Sequence, residues 1–202
     1  MIKEVSIIAG ASLNYKNRIK IAEIIYDTFK DKIEPVLGSR DDSIRFLSTF
    51  LNPKRIILAS VNREIVGVAC LKYGGDSWLH IKGKDLFFYF LRKPMKFLNL
   101  ILTGLLLTSK PEKDEVLLDI LAVAAGYRGK GVGTALVNKV INLASSEKYK
   151  VVKLHIVDKN TRARRFYEKI GFRITGSRKV PPPLKRFYDF SKIYTMSYYI
   201  SE

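Results

Sequence analysis

The run Arg128-Gly129-Lys130-Gly131-Val132-Gly133-Thr134 sets three glycines beside two cations, at a junction between a β-branched stretch, Val116 to Val123, and a stretch of helical periodicity. Glycines in such a place let backbone N–H groups turn toward an anion with no Cβ in the way, and the helix start adds unpaired donors and a positive dipole end. With Arg128 and Lys130 as countercharge, the chemistry implied is capture of a diphosphate. Spacing rules out one common loop of this kind and fits another poorly. The Walker pattern needs Gly-Lys followed by Ser or Thr, whereas here Gly131 precedes Val132 and Gly133 precedes Thr134. The dinucleotide pattern needs Gly-x-Gly-x-x-Gly in a βαβ unit, whereas the chain has Gly129-Lys130-Gly131-Val132-Gly133.

A second block, Asn160-x-x-Ala163-x-x-Phe166-Tyr167-x-Lys169-x-Gly171-Phe172, follows the strand-like run Val151 to Val157 and the turn residues Asp158-Lys159-Asn160. Asn160 suits a helix N-cap and Gly171 a helix stop. Tyr167 reads either as an aromatic packed beside Phe166 and Ile170 or as a phenol able to donate a proton. Lys159, Arg162 and Arg165 either meet a phosphate or form a solvated face. Asp119 is a carboxylate in an otherwise apolar strand, which calls for a partner or a role. It is either a general base or half of an ion pair, and strict alternation puts it on one face with Leu117 and Leu121. Glu115, His80 and His155 are weaker choices, His155 suiting a satisfied imidazole within its strand. Cys70 sits in the apolar stretch Ile65 to Leu71 and reads as core. No metal is expected.

The elements that must hold these groups follow from periodicity. A strand at Val5 to Ile8 precedes a helix from about Asn17 to Lys32, with Ile21, Ile24, Ile25 and Phe29 on one stripe. A second helix, capped by Asp41 or Asp42, runs through Ile44, Leu47, Phe50 and Leu51 and stops at Asn52-Pro53. Arg55 to Val61, the turn Asn62-Arg63 and Glu64 to Tyr73 form a hairpin. After the loop, a helix from Val132 to Ser146 carries Val132, Leu136, Val137, Val140, Ile141 and Ala144 on its apolar side. Closing strands are expected near Phe172 to Ser177 and Tyr188 to Ile200. Between Gly74 and Asp114, where a short turn would suffice, lie the apolar runs Leu86 to Leu91 and Phe97 to Leu107, parted by Arg92-Lys93-Pro94. Each run is too short to span a bilayer, so two helices broken at Pro94 are expected. Their apolar faces would pack on the sheet or on a second subunit, wall a substrate pocket, or rest on a membrane surface, in falling order of weight.

Arg128, Gly131 and Gly133 satisfy Arg/Gln-x-x-Gly-x-Gly/Ala, and the block from Asn160 to Phe172 follows in the matching order. In both respects the chain resembles the GCN5-related N-acetyltransferases (GNAT), strongly from about Glu115 to Thr175 and elsewhere as architecture. The resemblance implies an α/β fold, the acyl-CoA acyltransferase fold of that family. Its mixed central sheet splays between the fourth and fifth strands, helices flank it, and the 74–114 segment is a helical insertion between the third and fourth strands. It also implies acetyl-CoA as cosubstrate, bound along Leu121, Ala122 and Val123 and in the loop Arg128, Gly129, Lys130, Gly131, Val132, Gly133 and Thr134, with Asn160 touching pantetheine. Tyr167 matches the tyrosine that donates to the departing sulfur. Where many relatives carry a base glutamate this chain has Leu117, which leaves Asp119 as the substitute or leaves the proton to water. The implied activity is transfer of acetyl to a primary amine of a small molecule or protein. The alternative is a non-catalytic acyl-CoA-binding or sensor module, for which Tyr167 would have less use.

The chain has 202 residues, 47% of them hydrophobic, and no Pro/Ser linker, which fits one domain over 1–202. A lone cysteine and no leader-like start point to the cytoplasm. With 36 Lys and Arg against 19 Asp and Glu, the net charge is +17, a field that attracts anionic ligands and weighs mildly against a polycationic acceptor. The basic residues are scattered, with no aromatic-lined strand face, so nucleic acid is not expected as a partner, and neither is a membrane. A homodimer through the insertion is one expectation.

Overall fold

A computed structural model describes residues 5–9, 13–81, 110–181 and 189–200. Its sheet contains β1 (Ser6–Ala9), β2 (Ile56–Val61), β3 (Glu64–Tyr73), β4 (Asp76–Ser77), β5 (Glu115–Val123), β6 (Val151–Val157), β7 (Arg173–Lys179) and β8 (Lys192–Tyr199). The order is β1-β2-β3-β5-β6-β8-β7, with β4 added to β3. Every pairing is antiparallel except β5 with β6.

Helices α1 (Tyr15–Leu37) and α2 (Arg40–Phe50) cover one face, burying Ile21, Ile24, Ile25, Phe46 and Leu47 with Leu58, Val68, Cys70 and Trp78. Helices α3 (Val132–Ser146) and α4 (Thr161–Ile170) cover the other, where Leu136, Val137, Val140 and Tyr167 pack with Val66, Leu118, Leu154 and Phe172. Within the described residues the expected elements are present, and their ends shift for local reasons. Asn14 caps α1 by accepting from the Asn17 N–H at 2.8 Å. This helix kinks at Phe29 and continues past Lys32 despite Pro35, because Val36 and Leu37 are buried. Ser39 rather than Asp41 or Asp42 caps α2, its Oγ accepting from the Asp42 N–H at 3.3 Å, while the two aspartates sit in the first turn, where the helix dipole favours them. Asn62 and Arg63 both have positive φ, 51° and 64°, the mirror-type turn that matches the twist of a two-residue hairpin.

The segment expected to be wholly an insertion opens as sheet. Gly74 and Gly75, with φ of 59° and 77°, turn the chain so that Asp76 pairs with Tyr73 and Ser77 with Lys72. Trp78 is buried, and Leu79 bridges to Leu51. The apolar runs and the break at Pro94 lie outside the described residues.

Two irregularities in the ladders set the site. On β5, Leu118 faces Leu71 and Ile120 faces Cys70, so Asp119 is the extra residue of a β-bulge. The expectation that Asp119 shares a face with both Leu117 and Leu121 therefore fails. Val116 and Leu118 before the bulge, and Leu121 and Val123 after it, all join the α3 side. Further, β5 pairs with β6 only from Glu115 opposite Val151 to Leu118 opposite Leu154. From Asp119 to Val123 it has no partner on that edge, which is the expected splay; β4 makes the two strands the fifth and sixth here.

Close packing of α3 on the sheet depends on Gly67. A Cβ there would meet Leu136 Cδ1 and Val132 Cγ1 at 3.0 Å and the Ala122 carbonyl at 3.3 Å. Gly67→Val is expected to destabilise the protein by about 1–3 kcal/mol through overpacking, read from the midpoint of urea unfolding.

Candidate active site

The parting of β5 and β6 leaves a cleft of about 290 Å³, lined by Leu118, Asp119 and Leu121 of β5, His155 and Val157 of β6, Asn160, Ala163 and Tyr167 around α4, and Thr28, Phe29, Asp31 and Lys32 at the α1 kink. The kink of α1, two strands and a second helix thus contribute to a single concave site. Among the described residues no cluster of side chains could hold a metal ion.

Tyr167 is 7% exposed, with its ring edge-on to Phe166 and Phe172 at centroid distances of 5.0 and 5.5 Å. These rings fix its direction. Its hydroxyl has no hydrogen-bond partner among the described residues, and burial pushes the phenol pKa well above its ordinary value. The group is therefore a protonated donor throughout the neutral range. Asn160 caps α4, its Oδ1 accepting from the Ala163 N–H at 3.0 Å, which leaves its amide NH2 at the cleft mouth. Cap and cleft-lining group are one residue.

Asp119 is held from two sides. Lys72 Nζ lies 2.8 Å from Oδ2, and Trp78 Nε1 donates to the same oxygen at 2.6 Å. The carboxylate has the partner its strand position called for, and it still lines the cleft. His155 lines the cleft too and contacts Thr195 Oγ1 through Nδ1 at 3.2 Å. Burial, then the charge of Arg178, lowers its pKa below the ordinary value, so it is a neutral imidazole at pH 7. Glu115 is buried and paired with Lys153, and His80 is exposed, its backbone N–H donating to Phe50 O. Neither lines the cleft.

The glycine loop adjoins this site. Gly129 and Gly131 have φ of 73° and 84°, a left-handed conformation that costs any other residue, and a Cβ on either would point into open space. Gly131 is the α3 N-cap and supplies no side-chain cap, so the N–H groups of Val132, Gly133 and Thr134 are free. Gly133 lies where a Cβ would be 3.4 Å from Phe166 and 4.0 Å from Val123, joining loop, strand end and α4. Lys130 is exposed over the Tyr127 ring at 5.5 Å and leaves its charge at the loop. Arg128 also has a structural part: its Nε donates to the Val123 carbonyl at 2.9 Å and its Nη2 to Thr28 Oγ1 at 3.4 Å. It ties the strand end to α1, and with neutral acceptors its positive charge stays at the loop. Ala122 is buried toward α1 and α2, so only its backbone is available. Of the phosphate candidates, Lys159 is paired with Asp189.

Trp78, Lys72 and the α1 residues Thr28 and Lys32 were not legible as site residues, because their places come from contacts across the chain rather than from spacing.

The chain belongs to the acetyltransferase (GNAT) family, whose model matches residues 21–172. It is 36% identical over 77 residues to an uncharacterized N-acetyltransferase of Mycobacterium tuberculosis, a match over 38% of this chain and 49% of the relative. The chain thus spans about half the length of that relative. Among solved structures, Ard1 from Thermoplasma volcanium superimposes with a TM-score of 0.60 at 18% identity, covering 98% of this chain and 99% of that one. The ribosomal-protein-S18-alanine N-acetyltransferase of Escherichia coli gives a TM-score of 0.55 at 15% identity, over 98% and 96% of the two chains. These two likenesses show the fold.

His155 yields a pH prediction. A lowered folded pKa means that below about pH 6.5 the unfolded chain binds a proton the folded chain does not, so stability falls as pH falls through that window. Asp76 and Asp158, both held below their ordinary values, add their loss only at lower pH. Melting temperature should therefore drop between about pH 6.5 and 5 in the parent, and by less in His155→Gln.

Proposed function

We propose that this chain is an acetyl-CoA-dependent N-acetyltransferase acting on a primary amine by direct attack, with Tyr167 as proton donor to the leaving sulfur. The observation that carries the reading is one continuous surface. The free donors of the α3 start and the open space at Gly129 and Gly131 lead past Val123 to the unpaired edge of β5, and the cleft along that edge also holds a phenol with no hydrogen-bond partner among the described residues. The glycine loop fits a diphosphate, and the edge from Asp119 to Val123 offers backbone groups to an extended pantetheine arm. Lys130 adds charge, and Arg162 and Arg165 at the start of α4 are candidates for a further phosphate.

The amine nitrogen attacks the thioester carbonyl carbon, the carbon–sulfur bond breaks, and the electron pair leaves on sulfur, which takes the Tyr167 proton. The raised pKa keeps the phenol protonated but makes it a weak acid, so Tyr167 meets the sulfur as a hydrogen-bond donor and yields its proton only as charge builds on the leaving thiolate. The amine also loses a proton, and the cycle closes when the group that takes it releases it to solvent and Tyr167 regains one from solvent. Two groups lining the cleft can take the amine proton, Asp119 through Oδ1 and the neutral imidazole of His155. Asp119 is already engaged at Oδ2 by Lys72 and Trp78.

Tyr167→Phe removes a hydroxyl that bonds to nothing among the described residues, so stability and coenzyme A affinity should hold. Single-turnover acetyl transfer should fall by ~10²-fold. Unchanged turnover would remove Tyr167 from the mechanism, and full coenzyme A binding without thiol release toward any amine would favour the binding-module alternative. Gly131→Val forces a β-branched residue to positive φ and puts methyls in the anion space. Calorimetry should show coenzyme A affinity reduced at least ~10-fold, and parent-like affinity would sink the loop assignment.

A further inference from the structure

The two groups in the cleft that could take the amine proton differ in what already binds them. Asp119 Oδ2 meets both Lys72 Nζ at 2.8 Å and Trp78 Nε1 at 2.6 Å. Protonating that carboxylate would leave the Lys72 ammonium, only 16% exposed, without its counter-ion. His155 forms no ion pair among the described residues, and its single side-chain bond is to a neutral hydroxyl.

The sheet sets the place of that bond. His155 of β6 and Thr195 of β8 are ladder partners, and paired residues share a face, so imidazole and hydroxyl lie side by side. Nδ1 is the nitrogen that meets Thr195 Oγ1, at 3.2 Å. Nε2 has no hydrogen-bond partner among the described residues and is open to solvent, in a residue that lines the cleft with Tyr167. It is the nitrogen a substrate can meet. A hydroxyl can accept from Nδ1–H or donate to a bare Nδ1, and that choice decides what Nε2 can do. With the first, Nε2 gains a proton while the Thr195 bond stays as it is, because an imidazolium carries N–H on both nitrogens. With the second, Nε2 already holds a proton and can take none.

The surroundings keep the ring unprotonated at rest. Burial disfavours the imidazolium most, and the charge of Arg178 of β7 comes next. Lys72 of β3 and Lys153 of β6 act in the same direction, while Asp119 of β5 opposes them. Asp31 and Lys32 at the α1 kink line the same cleft with opposite charges.

We propose that His155 is the general base of the transfer, with Nδ1–H donating to Thr195 Oγ1 and the lone pair of Nε2 taking the amine proton. This rests on the transferase reading and chooses between its two proton acceptors. As the amine nitrogen bonds to the thioester carbonyl carbon, its N–H bond breaks toward Nε2 and leaves an imidazolium. The carbon–sulfur pair departs on sulfur, which draws the Tyr167 proton. The imidazolium then releases its proton to solvent, and Tyr167 regains one. His155 is the catalytic residue, and Thr195 is a positioning residue that acts through it.

Nitrogen NMR of the full chain with isotope-labelled histidine reads the tautomer without any transfer. The His155 signals, assigned by their loss in His155→Gln, should show a protonated Nδ1 and a bare Nε2 in the neutral ring. Thr195→Val should remove that preference. A protonated Nε2 in the parent would overturn the proposal. Transfer is followed as single-turnover thiol release from acetyl-CoA with amino-acid amides, ethanolamine and cadaverine, each below saturation. Amine and imidazole must both be unprotonated, so the logarithm of the parent rate should climb with pH at a slope of about 2 below the His155 pKa and about 1 from there to neutral pH. His155→Gln should lose ~10²-fold at neutral pH and keep a slope of about 1 throughout. Thr195→Val should fall by less. Parent-like rates in His155→Gln would overturn the base assignment and leave the transferase reading standing, as would a slope of about 2 that survives the substitution. Thiol release with no amine in the parent would sink the transferase reading, and the base assignment with it.

Discussion

A β-strand that loses its neighbour must satisfy its backbone groups some other way. Beyond the pairing of Leu118 with Leu154, β5 runs on to Val123 while its β6 edge is unpaired. Unpaired buried amides and carbonyls cost free energy comparable to a lost hydrogen bond, so a strand edge turned into a cleft favours a ligand that can complete it. The rest of the site follows from where that edge points. It ends beside the α3 start, whose N–H groups are free because Gly131 offers no cap. Tyr167, held by Phe166 and Phe172, closes the gap from the α4 side.

The bulge at Asp119 couples this edge to the other face of the sheet. An extra residue in β5 flips the alternation, so the apolar side chains before and after it serve one core while Asp119 reaches Lys72 and Trp78. Trp78 arrives through the hairpin at Gly74 and Gly75, which ties the start of the long insertion to the cleft floor. The α1 kink at Phe29 brings Thr28, Phe29, Asp31 and Lys32 to the same opening, and Arg128 bridges Thr28 to the end of β5.

The charge of the chain takes a particular form here. A net +17 spread over the surface says little about a ligand. Within the cleft, Asp119 already has its partners, His155 is neutral, and Lys32 has no carboxylate partner among the described residues.

Local chemistry made much of this legible in the amino-acid sequence. The order of strands and helices, the glycine loop at a strand-to-helix junction, the Asn160 cap and the Gly171 stop each depend on residues a few positions apart, and their conformational preferences act at that range. The family resemblance rested on the same short-range patterns. Tertiary structure decided what depends on distant residues. Alternation could not foresee the bulge that moved Asp119 off the face of Leu121, nor composition the partner it found in Trp78. Arg128, read as countercharge, also bonds a carbonyl and a threonine because α1 lies within reach. Burial decided the states of Tyr167 and His155, since desolvation is a property of the packed surroundings and no single stretch of sequence contains it.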